Sequence, residues 1–182
     1  MLIGHSFGGM IAQKLLGRNL AAAVAIDAAQ IKDVLPLPLS ALRATLPVFR
    51  NPGNKHRAVS LTAARFRFAF GNALPEEESV DLFERWAIPE PGSPLFEAAA
   101  ANFNPHAPAK VDTDNGARGP LLLMTGGKDH TVPEAVVRAT LKQYRHSDAV
   151  TDFPDRGHSL TIDGGWHEVA ATALDWLRRH SL

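Results

Sequence analysis

Three residue types that together can carry acyl transfer are spaced along this chain. Ser6 stands inside Gly4-His5-Ser6-Phe7-Gly8, Asp129 follows Gly126-Gly127-Lys128, and His158 follows Gly157. Hydrolysis by serine needs a hydroxyl nucleophile, an imidazole that takes its proton and returns it, and a carboxylate that holds the imidazole. Gly4 and Gly8 complete a G-x-S-x-G spacing. A serine held in a strained turn needs neighbours two residues away without side chains. Such a turn lifts the hydroxyl to a helix N-terminus, where backbone N–H groups can meet a developing oxyanion. The plainer alternative is a glycine-rich turn whose serine only caps the helix.

The elements that must position these residues are legible as apolar runs. Met1 to Ile3 fits the end of a buried strand, and Met10 to Leu16 carries helical spacing with Gly17 as its stop. Residues 22–27 read as the next buried parallel strand, so strand, helix and strand form a βαβ unit. Residues 120–125 (PLLLMT) and 149–153 predict two more strands. Between them, Thr131-Val132-Pro133-Glu134 has the form of a capping box opening a helix to about Tyr144. Residues 165–179 place Trp166, Val169, Ala170, Ala173, Leu174 and Leu177 on one helical stripe. The fold class is α/β: a mostly parallel sheet flanked by helices. Ser6, Asp129 and His158 each follow a strand, where open α/β sheets bind ligands.

Residues 30–119 differ in character. Prolines punctuate four helical pieces, 39–46, 62–73, 76–87 and 94–103, with Ser40, Thr62 and Ser93 as candidate N-caps. About ninety residues is far more than a βα connection needs, so this segment reads as an inserted helical lid, with residues 1–29 and 120–182 as the core. Seven cations oppose Asp33 in residues 31–70, and seven acids oppose Arg85 in residues 71–100. That division predicts two halves facing each other through solvated ion pairs. Seven of the nine phenylalanines lie in the segment, which suggests a mainly apolar pocket roof, with Phe66 and Phe70 as pocket candidates.

Composition excludes several classes. The chain has 182 residues and zero formal net charge, so nothing in it points to nucleic acid or an anionic membrane. With no cysteine there is no disulfide, thiolate zinc site or cysteine nucleophile. No apolar run reaches the length of a membrane span. Asp112-Thr113-Asp114-Asn115-Gly116 has its glycine misplaced for a calcium loop, and Gly126-Gly127-Lys128 lacks the spacing of a phosphate loop. No cofactor and no metal are implied. A cytoplasmic protein is the default expectation, and oligomeric state is not legible.

Gly4-His5-Ser6-Phe7-Gly8-Gly9, Gly126-Gly127-Lys128-Asp129-His130-Thr131-Val132-Pro133 and Gly157-His158-Ser159 together resemble the nucleophile, acid and histidine signatures of the α/β-hydrolase superfamily. The resemblance covers nearly the whole chain. It implies ester or lactone hydrolysis on a small molecule through Ser6, His158 and Asp129, with the Phe7 backbone N–H as one oxyanion donor. Related cofactor-free haloperoxidases share these motifs. In the family the elbow strand is central, and an earlier loop supplies a second oxyanion donor. The chain therefore reads as an N-terminally truncated hydrolase fold whose first strand is an exposed edge. A non-catalytic relative or remnant remains the alternative.

Other residues compete for roles. Asp27, just after the second strand, is an alternative acid. His5 fits a structural hydrogen bond or pocket lining, and His130, beside the acid, a loop or pocket position. Asp152 and Asp155 read as surface or turn residues and His106 as lid or pocket rim. His56, His146, His167 and His180 read as surface.

Overall fold

Strands that are apolar on both faces must lie inside a sheet covered on both sides. β2 (Ala23–Ile26) and β5 (Leu121–Gly126) are buried at every residue and form the centre of a four-stranded sheet of order β1-β2-β5-β6. β1 (Leu2–His5) and β6 (Ala149–Phe153) are its edges. All three pairings are parallel: Gly4 pairs with Ala25, Ile26 with Met124, and Leu123 with Val150. The computed structural model describes residues 1–145 and 149–182, so His146 lies outside the described residues.

Strand alternation then sorts the core into two layers. Ala23, Ala25, Leu121 and Leu123 meet Leu16 of α1 (Phe7–Leu16) and Val136 and Val137 of α6 (Glu134–Leu141). Val24, Ile26, Leu122 and Met124 meet Val169, Ala173, Trp176 and Leu177 of α7 (Trp166–Arg179) on the opposite face. Full burial of each such leucine is worth about 2 kcal/mol. The outer edge is β1, where Ile3 remains 53% exposed. Among the described residues no helix is long and apolar enough to cross a membrane.

Residues 30–119 hold α2 (Leu39–Phe49), α3 (Ala63–Ala69), α4 (Glu76–Trp86) and α5 (Ser93–Ala99). They also hold a two-residue antiparallel bridge, β3 (Ala58–Val59) with β4 (Glu90–Pro91), which has no signal in the sequence pattern. Thr62 caps α3 as expected, its side chain accepting from the Arg65 N–H at 3.4 Å. Ser40 and Ser93 do not cap: both lie inside their helices, which start after Pro38 and Gly92. Pro47 sits within α2 rather than ending it. At that point only the last turn loses a hydrogen bond, and Arg50 N–H still reaches Leu46 O at 3.0 Å. The capping box at 131–134 does not form either, because the Thr131 hydroxyl donates to Ala69 O at 2.8 Å and Pro133 precedes α6, which ends at Leu141.

The expected ion pairing between the two charged halves is absent among the described residues. Arg85 pairs within its own helix with Asp81, and Arg43 lies over the Phe68 ring, 4.2 Å from its centroid. The phenylalanines divide as well. Phe66 is buried, stacks on Phe70 and meets Phe83 edge-on, so it belongs to the segment's own core, whereas Phe103 is 91% exposed.

Candidate active site

Ser6 links the end of β1 to the first residue of α1, with φ 53° and ψ −121°. Positive φ is costly for a residue with a side chain and persists only where surroundings enforce it. Here they do. The Ser6 N–H donates to Ile26 O at 2.9 Å, and its carbonyl accepts from Met10 N–H at 3.2 Å and Ala29 N–H at 2.9 Å. The serine side chain makes no capping hydrogen bond, so the reading of a mere helix cap fails. A Cβ on Gly4 would lie 2.2 Å from Gly8 O, and one on Gly9 2.8 Å from Ala28 Cβ. Nothing lies within 4 Å of a Cβ on Gly8. The close approach thus rests on Gly4 and Gly9, a correction to the G-x-S-x-G argument. Phe7 opens α1, so its N–H is among the first-turn amides that no intrahelical carbonyl serves.

Asp129 and His158 meet in the interior. Asp129 is 3% exposed and His158 0%. His158 Nδ1 lies 2.6 Å from Asp129 Oδ2, while Asp129 Oδ1 accepts from the N–H groups of Thr131 at 2.6 Å and Val132 at 2.8 Å. Burial pushes the Asp129 carboxyl up, but the charge and hydrogen bond of His158 and the two amides outweigh it and hold it below its ordinary value. Burial pushes His158 down, and Asp129 more than reverses this, raising the imidazole above its ordinary value. The other ring nitrogen, Nε2, is buried without a partner, and among the described residues Ser6 makes no hydrogen bond to it.

The loops carrying this pair are pressed together. A Cβ on Gly126 would lie 2.7 Å from both Arg156 O and Gly157 O. The guanidinium of Arg156 fixes the histidine loop by grasping both oxygens of buried Asp163 and donating to Gly165 O at 3.3 Å. Asp152 and Asp155 do lie outside the site, paired with Arg138 and Lys128.

Each neighbouring candidate has a definite place. His5 Nε2 lies 2.8 Å from His158 O, and the two rings are 4.7 Å apart. Because a carbonyl can only accept, His5 donates from Nε2 and is neutral at Nδ1. Burial, then the charge of His158, lowers its pKa to about 3. Phe70 meets the His158 ring edge-on at 5.0 Å. His130 donates from Nδ1 to Phe68 O at 2.9 Å and packs on that ring, so it ties two segments together. With the Thr131 hydroxyl on Ala69 O and the Ser159 hydroxyl on Phe70 O at 2.7 Å, it serves the end of α3. These otherwise orphan carbonyls fasten the intervening segment to the acid and histidine loops. Nothing in the sequence marks Thr131 or Ser159 for that task.

Asp27 does not replace Asp129 as the partner of His158 Nδ1. It is nevertheless fully buried beside the pair, at φ 41°, and its Oδ1 accepts from Gly126 N–H at 2.8 Å. His5, Asp27 and His158 each bring one metal-capable atom within 4.8 Å of the others. His5 Nε2 and His158 Nδ1 are committed to His158 O and Asp129, while Asp27 Oδ2 and His158 Nε2 are buried without a hydrogen-bond partner among the described residues.

Residues 1–172 match the model described as "Alpha/beta hydrolase family". No curated protein matches the chain. Among solved structures it is similar to a monoacylglycerol lipase from Paleococcus ferrophilus, at 20% identity and TM-score 0.61 over 98% of this chain and 68% of that one. It is also similar to a thermophilic esterase from Thermogutta terrifontis, at 20% identity and TM-score 0.63 over 98% of this chain and 64% of that one. A third likeness is to a putative non-heme bromoperoxidase, BpoC, from Mycobacterium tuberculosis, at 16% identity and TM-score 0.62 over 98% and 66% of the two chains. The chain thus spans about two thirds of the length of these structures.

Proposed function

The chain belongs to the alpha/beta hydrolase family, and from that premise we propose that it is a serine hydrolase cleaving an ester-type bond, a carboxylic ester or lactone of a small molecule. The observation that carries the reading is the buried Asp129–His158 pair, whose Nε2 is left open at the same end of the sheet as the strained Ser6 turn. In this reading Ser6 Oγ attacks the carbonyl carbon while His158 Nε2 takes its proton. Asp129 holds Nδ1–H and stabilises the imidazolium. The Phe7 N–H supports the oxyanion. His158 then returns the proton to the departing alcohol, leaving an acyl-serine. Water, deprotonated by the same imidazole, releases the acid and restores the hydroxyl. Residues 30–119 act as a lid, and Phe70, against the His158 ring, offers an apolar wall to the acyl or alcohol group.

The test is labelling by a fluorophosphonate, which phosphonylates an activated serine. The folded chain should be labelled at Ser6, and Ser6→Ala should abolish labelling and lower ester turnover by about 10⁴ or more. Absence of label on the folded wild-type chain would overturn the reading and leave a non-catalytic relative. A panel of p-nitrophenyl esters of varied acyl length defines the substrate class.

A further inference from the structure

Asp27 is a buried acid beside the Asp129–His158 pair that the hydrolytic steps do not use. Its surroundings are lopsided. Asp129 has a donor for each oxygen and one to spare: Thr131 N–H, Val132 N–H and His158 Nδ1. Among the described residues Asp27 has one donor, Gly126 N–H on Oδ1, while its Oδ2 is buried with no partner. An ionised carboxylate in that position would carry an unserved charged oxygen in the interior, which is expensive. A protonated one would carry a hydroxyl, and the Asp129 carboxyl beside it is an acceptor for that hydroxyl. The backbone is built to keep the side chain there. Asp27 adopts φ 41° immediately after β2, its N–H bonded to Met124 O at 2.8 Å, and the next residues turn back under the elbow through Ala29 N–H to Ser6 O.

We propose that Asp27 is a neutral carboxylic acid that donates a hydrogen bond from Oδ2 to Asp129, making it a positioning residue that holds the acid which holds His158. The role within hydrolysis rests on the function proposed above, but the arrangement itself does not. Two carboxyls this close and this buried cannot both ionise, and the one with fewer donors keeps the proton. Burial and then the charge of Asp129 both push Asp27 well above the ordinary carboxyl range, in keeping with the geometry. The titratable groups around it are Asp129 and His158 beside it, His5 at the end of β1, and Glu90 of β4, which acts on His158. This is a different task from that of an alternative triad acid. Asp27 touches neither substrate nor imidazole nitrogen; it acts through Asp129.

Protonation can be read directly by NMR of aspartate labelled with ¹³C at Cγ, assigning Asp27 by the signal lost in Asp27→Asn. The expected result is a neutral-acid shift for Asp27 at pH 6, where the Asp129 carbon is already ionised. A normal titration near pH 4 would overturn the proposal, whether or not the chain hydrolyses esters. A second readout is the midpoint of the His158 imidazole titration. Asp27→Asn preserves both the acceptor for Gly126 and a donor for Asp129, so the midpoint should stay put. Asp27→Ala removes the donor, makes Asp129 more basic and should move the midpoint upward. An ionised Asp27 predicts the reverse, a fall in midpoint for both variants, and that result overturns the proposal. Fluorophosphonate labelling, once shown for the wild type, should survive Asp27→Asn within about threefold and slow by about tenfold or more in Asp27→Ala, the scale on which lost orienting partners are felt. Loss in Asp27→Asn as deep as in Asp129→Asn would make Asp27 a second essential anion and refute it.

Discussion

Replacing Asp129 by asparagine isolates the electrical and tautomeric contribution of the acid, because it barely changes shape. The amide oxygen can still accept from Thr131 N–H and Val132 N–H, which now lie 2.6 and 2.8 Å from Oδ1. What changes is the partner 2.6 Å from His158 Nδ1. An amide NH₂ there is a donor, so Nδ1 must become an acceptor and the ring proton moves to Nε2. A protonated Nε2 cannot take the Ser6 proton. The attractive charge that holds His158 above its ordinary pKa is lost as well. In serine hydrolases this exchange costs about 10⁴ in rate, or about 5 kcal/mol in barrier at 1.36 kcal/mol per decade. Stability should fall much less, by about 1.5–3 kcal/mol for one hydrogen bond between charged groups. Pseudo-first-order fluorophosphonate labelling, with urea unfolding on the same samples, separates the two. A rate within tenfold of wild type in a folded Asp129→Asn chain would refute the assignment of Asp129 as the orienting acid.

Three further expectations follow from the same geometry. Labelling of Ser6 requires neutral His158, and Asp129 raises that imidazole above 6.5; the rate should therefore climb with pH through a midpoint above 6.5, and a midpoint below 6 would contradict the pairing. His5 is held neutral with a pKa near 3, so the folded chain binds fewer protons than the unfolded one between pH 6.5 and 3. The stability His5 contributes is full above pH 6.5 and is lost as pH falls through that window; thermal melts of His5→Gln, which keeps a donor for His158 O, should show a flatter decline between pH 6.5 and 4. Asp163→Ala would leave the partly buried guanidinium of Arg156 without its bidentate partner and should cost about 3–5 kcal/mol in urea unfolding, with loss below 1 kcal/mol refuting its role in fixing the histidine loop.

How much of this could be read from residues alone depends on the range of the interaction. β2 and β5 were legible because a strand buried on both faces must be a run of apolar residues, and AVAI and LLLM are such runs. The placement of Ser6, Asp129 and His158 after strand ends was legible because each carries its own local punctuation, a glycine-rich turn after a strand. Gly9 was not, because its constraint comes from Ala28, a residue nineteen positions away in sequence that only the fold brings within 2.8 Å of a Cβ. Thr131 misled for the same reason: its spacing to Glu134 promises a local cap, yet a carbonyl of α3 captures its hydroxyl.

Asp27 shows the limit most sharply. Its position after a strand made it a rival to Asp129, and sequence logic treats two such acids as exclusive candidates for one role. Inside the fold they are adjacent, and adjacency forces them apart in charge rather than in function. Asp129 collects three donors and Asp27 one, so the buried space can hold one anion and one neutral acid. Which carboxyl becomes the anion is decided by backbone amides of the 131–132 turn, and amides have no residue identity for a sequence to display.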